Sequence, residues 1–176
     1  MKIRLMTVFL TGFCLHAQAD TFNKGPVFTD YGQHVAVSHP HAFSDTTTFH
    51  VAFDTTDQAT PGDVNRKINS LARFINMHVA NGVKKENIHL ALVVHGKGIF
   101  DLLNKAAYQE NFDVDNANAP LINALLDNQV TITVCGQSAA YFGIEADQFI
   151  DGVTVSLSAM TAHAELQQQG YTLNPF

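Results

Sequence analysis

The stretch Val130-Thr-Ile-Thr-Val-Cys-Gly-Gln-Ser-Ala-Ala-Tyr-Phe-Gly-Ile144 decides how the rest of the chain is read. Its first half is a β-branched run, alternating enough for a buried strand, and it ends in Cys135. Gly136 permits a tight turn, and Ser138 has the side chain to cap a short helix over 138–142, which Gly143 breaks. A thiol placed there faces the positive end of the helix, which favours the thiolate, the nucleophilic form of sulfur.

Working outward, the same alternation of strand and helix recurs. Downstream, a loop over 145–151 leads to a strand at Val153–Leu157, a helix from Ala159 to Gln169 stopped by Gly170, and an apolar tail, Tyr171–Phe176, expected to pack down. Upstream, Pro120 opens a helix with Leu121, Ile122, Leu125 and Leu126 on one face. Before it, Asn111–Asn118 reads as an acidic, asparagine-rich loop and 99–105 as a short helical turn. Asn87–Gly96 is a strand with almost no polar break after His89, the pattern of a strand buried on both faces. Thr60, Pro61 and Asp63 predict the start of a helix in which Val64, Ile68, Leu71, Ala72, Ile75 and Val79 recur at helical spacing before the stop at Asn81-Gly82. His78 falls near that apolar stripe and is expected to be packed rather than to be a ligand. Thr46–Asp54 is the first clear strand, and residues 20–45 form an ordered extension with a short strand at 34–37. The order β-α-β-α-β-α-β-α, without repeat or linker, predicts one α/β domain: a mainly parallel sheet covered by helices on both faces.

Residues 1–19 read as a secretory signal: basic Met1–Arg4, a short apolar run from Leu5 to Leu15, and small residues at Ala17 and Ala19. The apolar run is short for a membrane anchor, so a periplasmic or secreted domain over 20–176 is expected. Losing Lys2 and Arg4 leaves eight basic against 16 acidic residues, a net −8, a poor surface for nucleic acid or anionic lipid. Cys14 departs with the signal and leaves Cys135 without a disulfide partner in its own chain.

In open α/β sheets, ligands bind beyond the carboxyl ends of the strands. The residues at those ends are Asp54, His95, Cys135 and Ser158. Cys135 is the candidate nucleophile and His95 the candidate proton partner, with Lys97, Gln137, Ser138, Asp54 and Ser158 as candidate binding positions around them. His95-Gly-Lys-Gly98 lacks the spacer and the Ser/Thr of a phosphate loop, which argues against nucleotide binding. Position 138 is Ser, so there is no Cys-x-x-Cys and no self-contained disulfide cycle, while one thiol can still carry a persulfide. His39-x-His41 supplies two ligands at most and reads as a surface loop; no metal or cofactor is expected, and a site of His95, Cys135 and another histidine is the weaker third option.

Cys135, Ala139 and Gly143 form a Cys-x-x-x-Ala-x-x-x-Gly frame, and in this frame the chain resembles the DsrE/DsrF-like proteins, which include sulfur-relay subunits. Gly25–Phe28, Arg73–His78, Val94–Lys97, Cys135–Ser138, Leu157–Thr161 and Gln168–Tyr171 are similar to segments of its exported branch. The resemblance implies a three-layer α/β/α fold with about four to five strands, assembly into trimers or hexamers, and persulfide transfer with a donor or acceptor protein. It carries a functional role to Cys135 alone. The leading expectation is a periplasmic sulfur-handling protein; the alternative is a non-catalytic oligomeric module, binding a small ligand or a partner, with a structural cysteine.

Overall fold

The computed structural model describes residues 22–38, 40 and 42–174; the expected signal segment, His39 and His41 lie outside them. The sheet starts at β1 (Phe49–Thr55) and grows in one direction. β2 (Ile88–Val94) pairs with β1, β3 (Thr131–Cys135) with β2, and β4 (Thr154–Ser156) with β3, all parallel. The chain then crosses back to lay β5 (Thr172–Asn174) on the free side of β1, giving the order β4-β3-β2-β1-β5.

This order dictates the layers. Parallel strands added in one direction by right-handed crossovers put their helices on one face, and a crossover in the opposite direction goes over the other. Thus α1 (Arg66–Ala80), α2 (Lys105–Phe112), α3 (Ala119–Asp127) and α4 (Gly136–Phe142) share a face, while α5 (Ala159–Gln168) covers the second alone. The outcome is the expected three-layer α/β/α arrangement. Strand alternation then sorts the side chains. Phe53, Leu90, Leu92, Val94, Ile132 and Val134 meet α1 and α3 in the main core, and Val93, Cys135, Ala159 and Ala162 make a second, smaller cluster under α5.

Several local expectations are corrected. Helix α1 begins at Arg66, because Asn65, not Thr60, is its cap: the Asn65 Oδ1 accepts from the N–H of Lys67 at 2.8 Å. Residues 60–63 instead form a turn in which the Asp63 N–H donates to the Thr60 carbonyl. That turn is pinned from the core: Asp101, fully buried, accepts through Oδ2 from the Ala59 N–H at 2.8 Å and from Asn65 Nδ2 at 2.7 Å, while its Oδ1 has no partner. Residues 96–102 form a 3-10 helix, followed by α2, which had no apolar stripe to announce it: only Ala107 and Tyr108 are buried. The tail expected merely to pack is strand β5. The strand expected at 34–37 is a single antiparallel bridge between Asn23 and His34.

The N-terminal extension is tied to α1 by Asn69, Arg73 and Asn76: Asn69 accepts from the Gly32 N–H at 2.8 Å, Arg73 donates to the Gln33 carbonyl at 2.8 Å, and Asn76 makes the largest set of bonds. The Asn76 Oδ1 accepts from the N–H groups of Val27 (3.1 Å) and Phe28 (2.9 Å), and its Nδ2 donates to the carbonyls of Phe28 and Tyr31. Gly25 lies so close that a Cβ there would overlap the Asn76 amide. His78 packs between Phe49 and Phe74 and hydrogen-bonds the Phe74 carbonyl, the packed role expected of it; burial lowers its pKa, and that bond opposes the shift.

Candidate functional site

Cys135 is the last residue of β3 and itself the N-cap of α4, with Ser156 of β4 beside it in register. The helix starts at Gly136 rather than 138, so Ser138 is its third residue and not its cap. Gly136 is required by a close approach: a Cβ there would stand 2.6 Å from the Ser156 carbonyl oxygen. Burial alone would push the thiol pKa up, but the Ser138 hydroxyl and the N–H groups of Ser138, Ala159 and Gln137 outweigh it and hold the thiol below its ordinary value. The Ser138 oxygen accepts from the Gly96 N–H at 2.9 Å, which leaves its own proton to donate to sulfur. The thiolate is therefore favoured by donors from two helices, α4 and α5. The residue is only 6% exposed.

A second polar group lies along the same edge. Val94 pairs with Val134, so His95 and Cys135 occupy the next positions on neighbouring strands. Pleating puts both on the α5 face, with Val93 and Asp54 two residues and one strand away. The Asp54 carboxylate accepts from two imidazoles: His95 Nε2 on Oδ2 at 3.0 Å and His163 Nε2 on Oδ1 at 2.7 Å. Because a carboxylate only accepts, both rings carry a proton on Nε2. The edge thus holds a thiol with its donors and, beside it, a carboxylate bridging two histidines.

Residues 50–175 match the model of the DsrE/DsrF-like family. The chain belongs to that family. Two solved structures show its fold in distant relatives. The ychN protein from E. coli is 17% identical, with a TM-score of 0.52, covering 73% of this chain and 100% of its own. A protein of unknown function from Methanobacterium thermoautotrophicum, MTH1491, is 16% identical, with a TM-score of 0.50, covering 73% and 99%. No curated protein matches the sequence.

Within this DsrE/DsrF-like fold, the residues singled out in the sequence divide into groups. Cys135, Ser138, Gln137, His95 and Asp54 gather at one edge, Gln137 contributing its N–H to the sulfur and its Nε2 to the Leu157 carbonyl at 3.3 Å. Ser158 caps α5, its Oγ accepting from the Thr161 N–H at 3.0 Å. Lys97 is exposed and lines a separate cleft of about 730 Å³ with Thr56–Pro61 and Phe112, which Cys135 does not line. His163 and Ala159 carry no signal in the sequence beyond their spacing. Four residues apart, they share one face of a helix that only the observed crossover lays over β2 and β3. Among the described residues, no three His, Cys, Asp or Glu side chains converge as a metal-ligand set.

Proposed function

We propose that this protein is an exported sulfur handler, periplasmic or secreted, in which Cys135 takes sulfane sulfur from one partner and passes it to another. The observation that carries this reading is the placement of Cys135 at the end of β3 and the start of α4, where the Ser138 hydroxyl and the N–H groups of Ser138, Ala159 and Gln137 lower its pKa against the effect of burial. A pKa lowered toward the ambient pH suits exchange, since too low a value costs nucleophilicity. His95 takes the thiol proton. The thiolate attacks the outer sulfur of a donor persulfide, the donor S–S bond breaks, and the departing donor thiolate recovers the proton from His95. Cys135 is left as a persulfide and the donor as a thiol. An acceptor thiolate later removes the terminal sulfur in the same way, so the sulfane sulfur moves with no external oxidant or reductant. Cys135 has no second cysteine among the described residues to divert the persulfide into an internal disulfide. A homo-oligomer, trimer or hexamer, goes with this reading; Tyr141, Leu157 and Met160 are apolar and exposed and would gain from being covered.

Exposure to a sulfane donor followed by mass spectrometry should show added sulfur on Cys135, and Cys135→Ser should abolish it. No added sulfur, together with a thiol pKa at or above about 8.5, the unperturbed value, sinks the proposal. One observation favours a second reading, a partner- or ligand-binding module with a structural cysteine: Cys135 is packed with Val93, Ala159 and Ala162. That reading predicts that Cys135→Ser leaves assembly and binding unchanged.

A further inference from the structure

Helix α5 is held to the sheet with little apolar bulk. Its buried residues are Ala159 and Ala162, with Leu166 partly covered, and two methyl groups remove little surface from water. Its firm polar link to the sheet is the His163 Nε2 bond to Asp54 Oδ1, 2.7 Å long, with the histidine side chain only 17% exposed. His163 sits one helical turn beyond Ala159 and on the same face. Ala159 packs with Cys135 in the small buried cluster under α5, and its N–H is among the groups that draw the thiol pKa down. So one end of α5 touches two things: the carboxylate through His163 and the thiol through Ala159.

We propose that His163 is a positioning residue for Cys135: its bond to Asp54 seats the first turns of α5 and thereby keeps the Ala159 N–H against the sulfur. Asp54 serves as the anchor, since its second oxygen is already fixed by His95 at the end of β2. Loss of the His163 donor frees α5 to drift from the sheet, and the sulfur loses the one donor that does not come from its own helix. The inference takes its biological meaning from the sulfur-carrier reading, but the seat is measured on the thiol with no sulfur donor present.

The test is the pH dependence of iodoacetamide alkylation at Cys135, followed by peptide mass spectrometry, alongside circular dichroism melts. His163→Leu keeps bulk and helix propensity but donates nothing. It should raise the midpoint and slow alkylation at neutral pH about three- to tenfold, the range expected for losing part of a charge-assisted hydrogen bond. His163→Gln, which can still donate to Asp54, should stay near the parent. Ala159→Pro removes the N–H at the first helical position, where proline is tolerated, and should reproduce the leucine shift. The two combined should move the midpoint no further than either alone. An unmoved midpoint in His163→Leu overturns the proposal, and so does a full additional shift in the Ala159→Pro background. Should the leucine variant fail to fold, His163→Ala is judged by the same criterion. Failure of sulfur uptake by the parent would overturn the carrier reading and leave the seat standing; an unmoved midpoint does the reverse.

Discussion

On one face of the sheet, Leu90, Leu92, Val94, Ile132 and Val134 pack against two helices rich in leucine and isoleucine; on the other, Val93 and Cys135 meet a single helix through Ala159 and Ala162, and Asp54 meets it through His163. The same strands supply both sets, residue by residue in alternation. The difference teaches where each property resides. Large side chains on the first face remove apolar area from water and carry the stability. Small ones on the second let a helix approach closely enough for its backbone N–H to reach a sulfur and its histidine to reach a carboxylate.

If the faces are independent in this sense, a core truncation should leave the thiol alone. Leu92→Ala is expected to cost about 2–5 kcal/mol in urea denaturation, as for other buried leucines, with the Cys135 midpoint unmoved. A thiol that titrates differently in this variant would break the comparison. Asp101→Asn should have a smaller effect, of about 1–3 kcal/mol, and one that varies with pH. Burial raises the Asp101 pKa, against the opposing hydrogen bonds from Asn65 and Ala59. A raised folded-state value means that its contribution to stability is full below the unfolded value of about 3.9 and is lost as pH rises through the folded one. The parent should therefore lose stability across that interval relative to Asp101→Asn; parallel curves for the two would remove Asp101 as the source. Smallest in stability, about 1 kcal/mol, is Ser138→Ala in the first turn of α4, which removes a hydroxyl that accepts from the Gly96 N–H and lowers the Cys135 pKa. Its readout is the thiol, whose alkylation midpoint should rise. The sign is opposite to that of Asp101: the Cys135 value is lowered by folding, so its stabilising contribution is present above about 8.5 and fades as pH falls through the folded value. A Ser138→Ala midpoint equal to the parent's would mean that the backbone N–H groups suffice.

The first face was legible in the sequence because apolar periodicity writes it directly: Ile68, Leu71, Ala72 and Ile75 repeat at helical spacing, and Ile88–Val94 reads as a strand buried on both sides. Cys135 was legible through the turn chemistry around it. What escaped lacked such a pattern. Helix α2 buries two residues and shows no stripe; β5 is three residues at an edge; the cap of α1 depends on Asn65, whose own partners Asp101 and Asn118 come later in the chain. His163 escaped for a related reason. Nothing local distinguishes it from a surface histidine until the direction of the last crossover is known, since Asp54 lies 109 residues away.

The tie between Asn76 and the N-terminal extension has a consequence for the order in which the chain can become structured. Val27 and Phe28 leave the ribosome well before the asparagine that satisfies their amides, which follows 49 and 48 residues later. During that interval their N–H groups are open to water, and the bonds they make in the folded chain can form only once Asn76 has been made. In time as well as in space, then, the extension is a latecomer: it is made early and closes over α1 only once that helix exists.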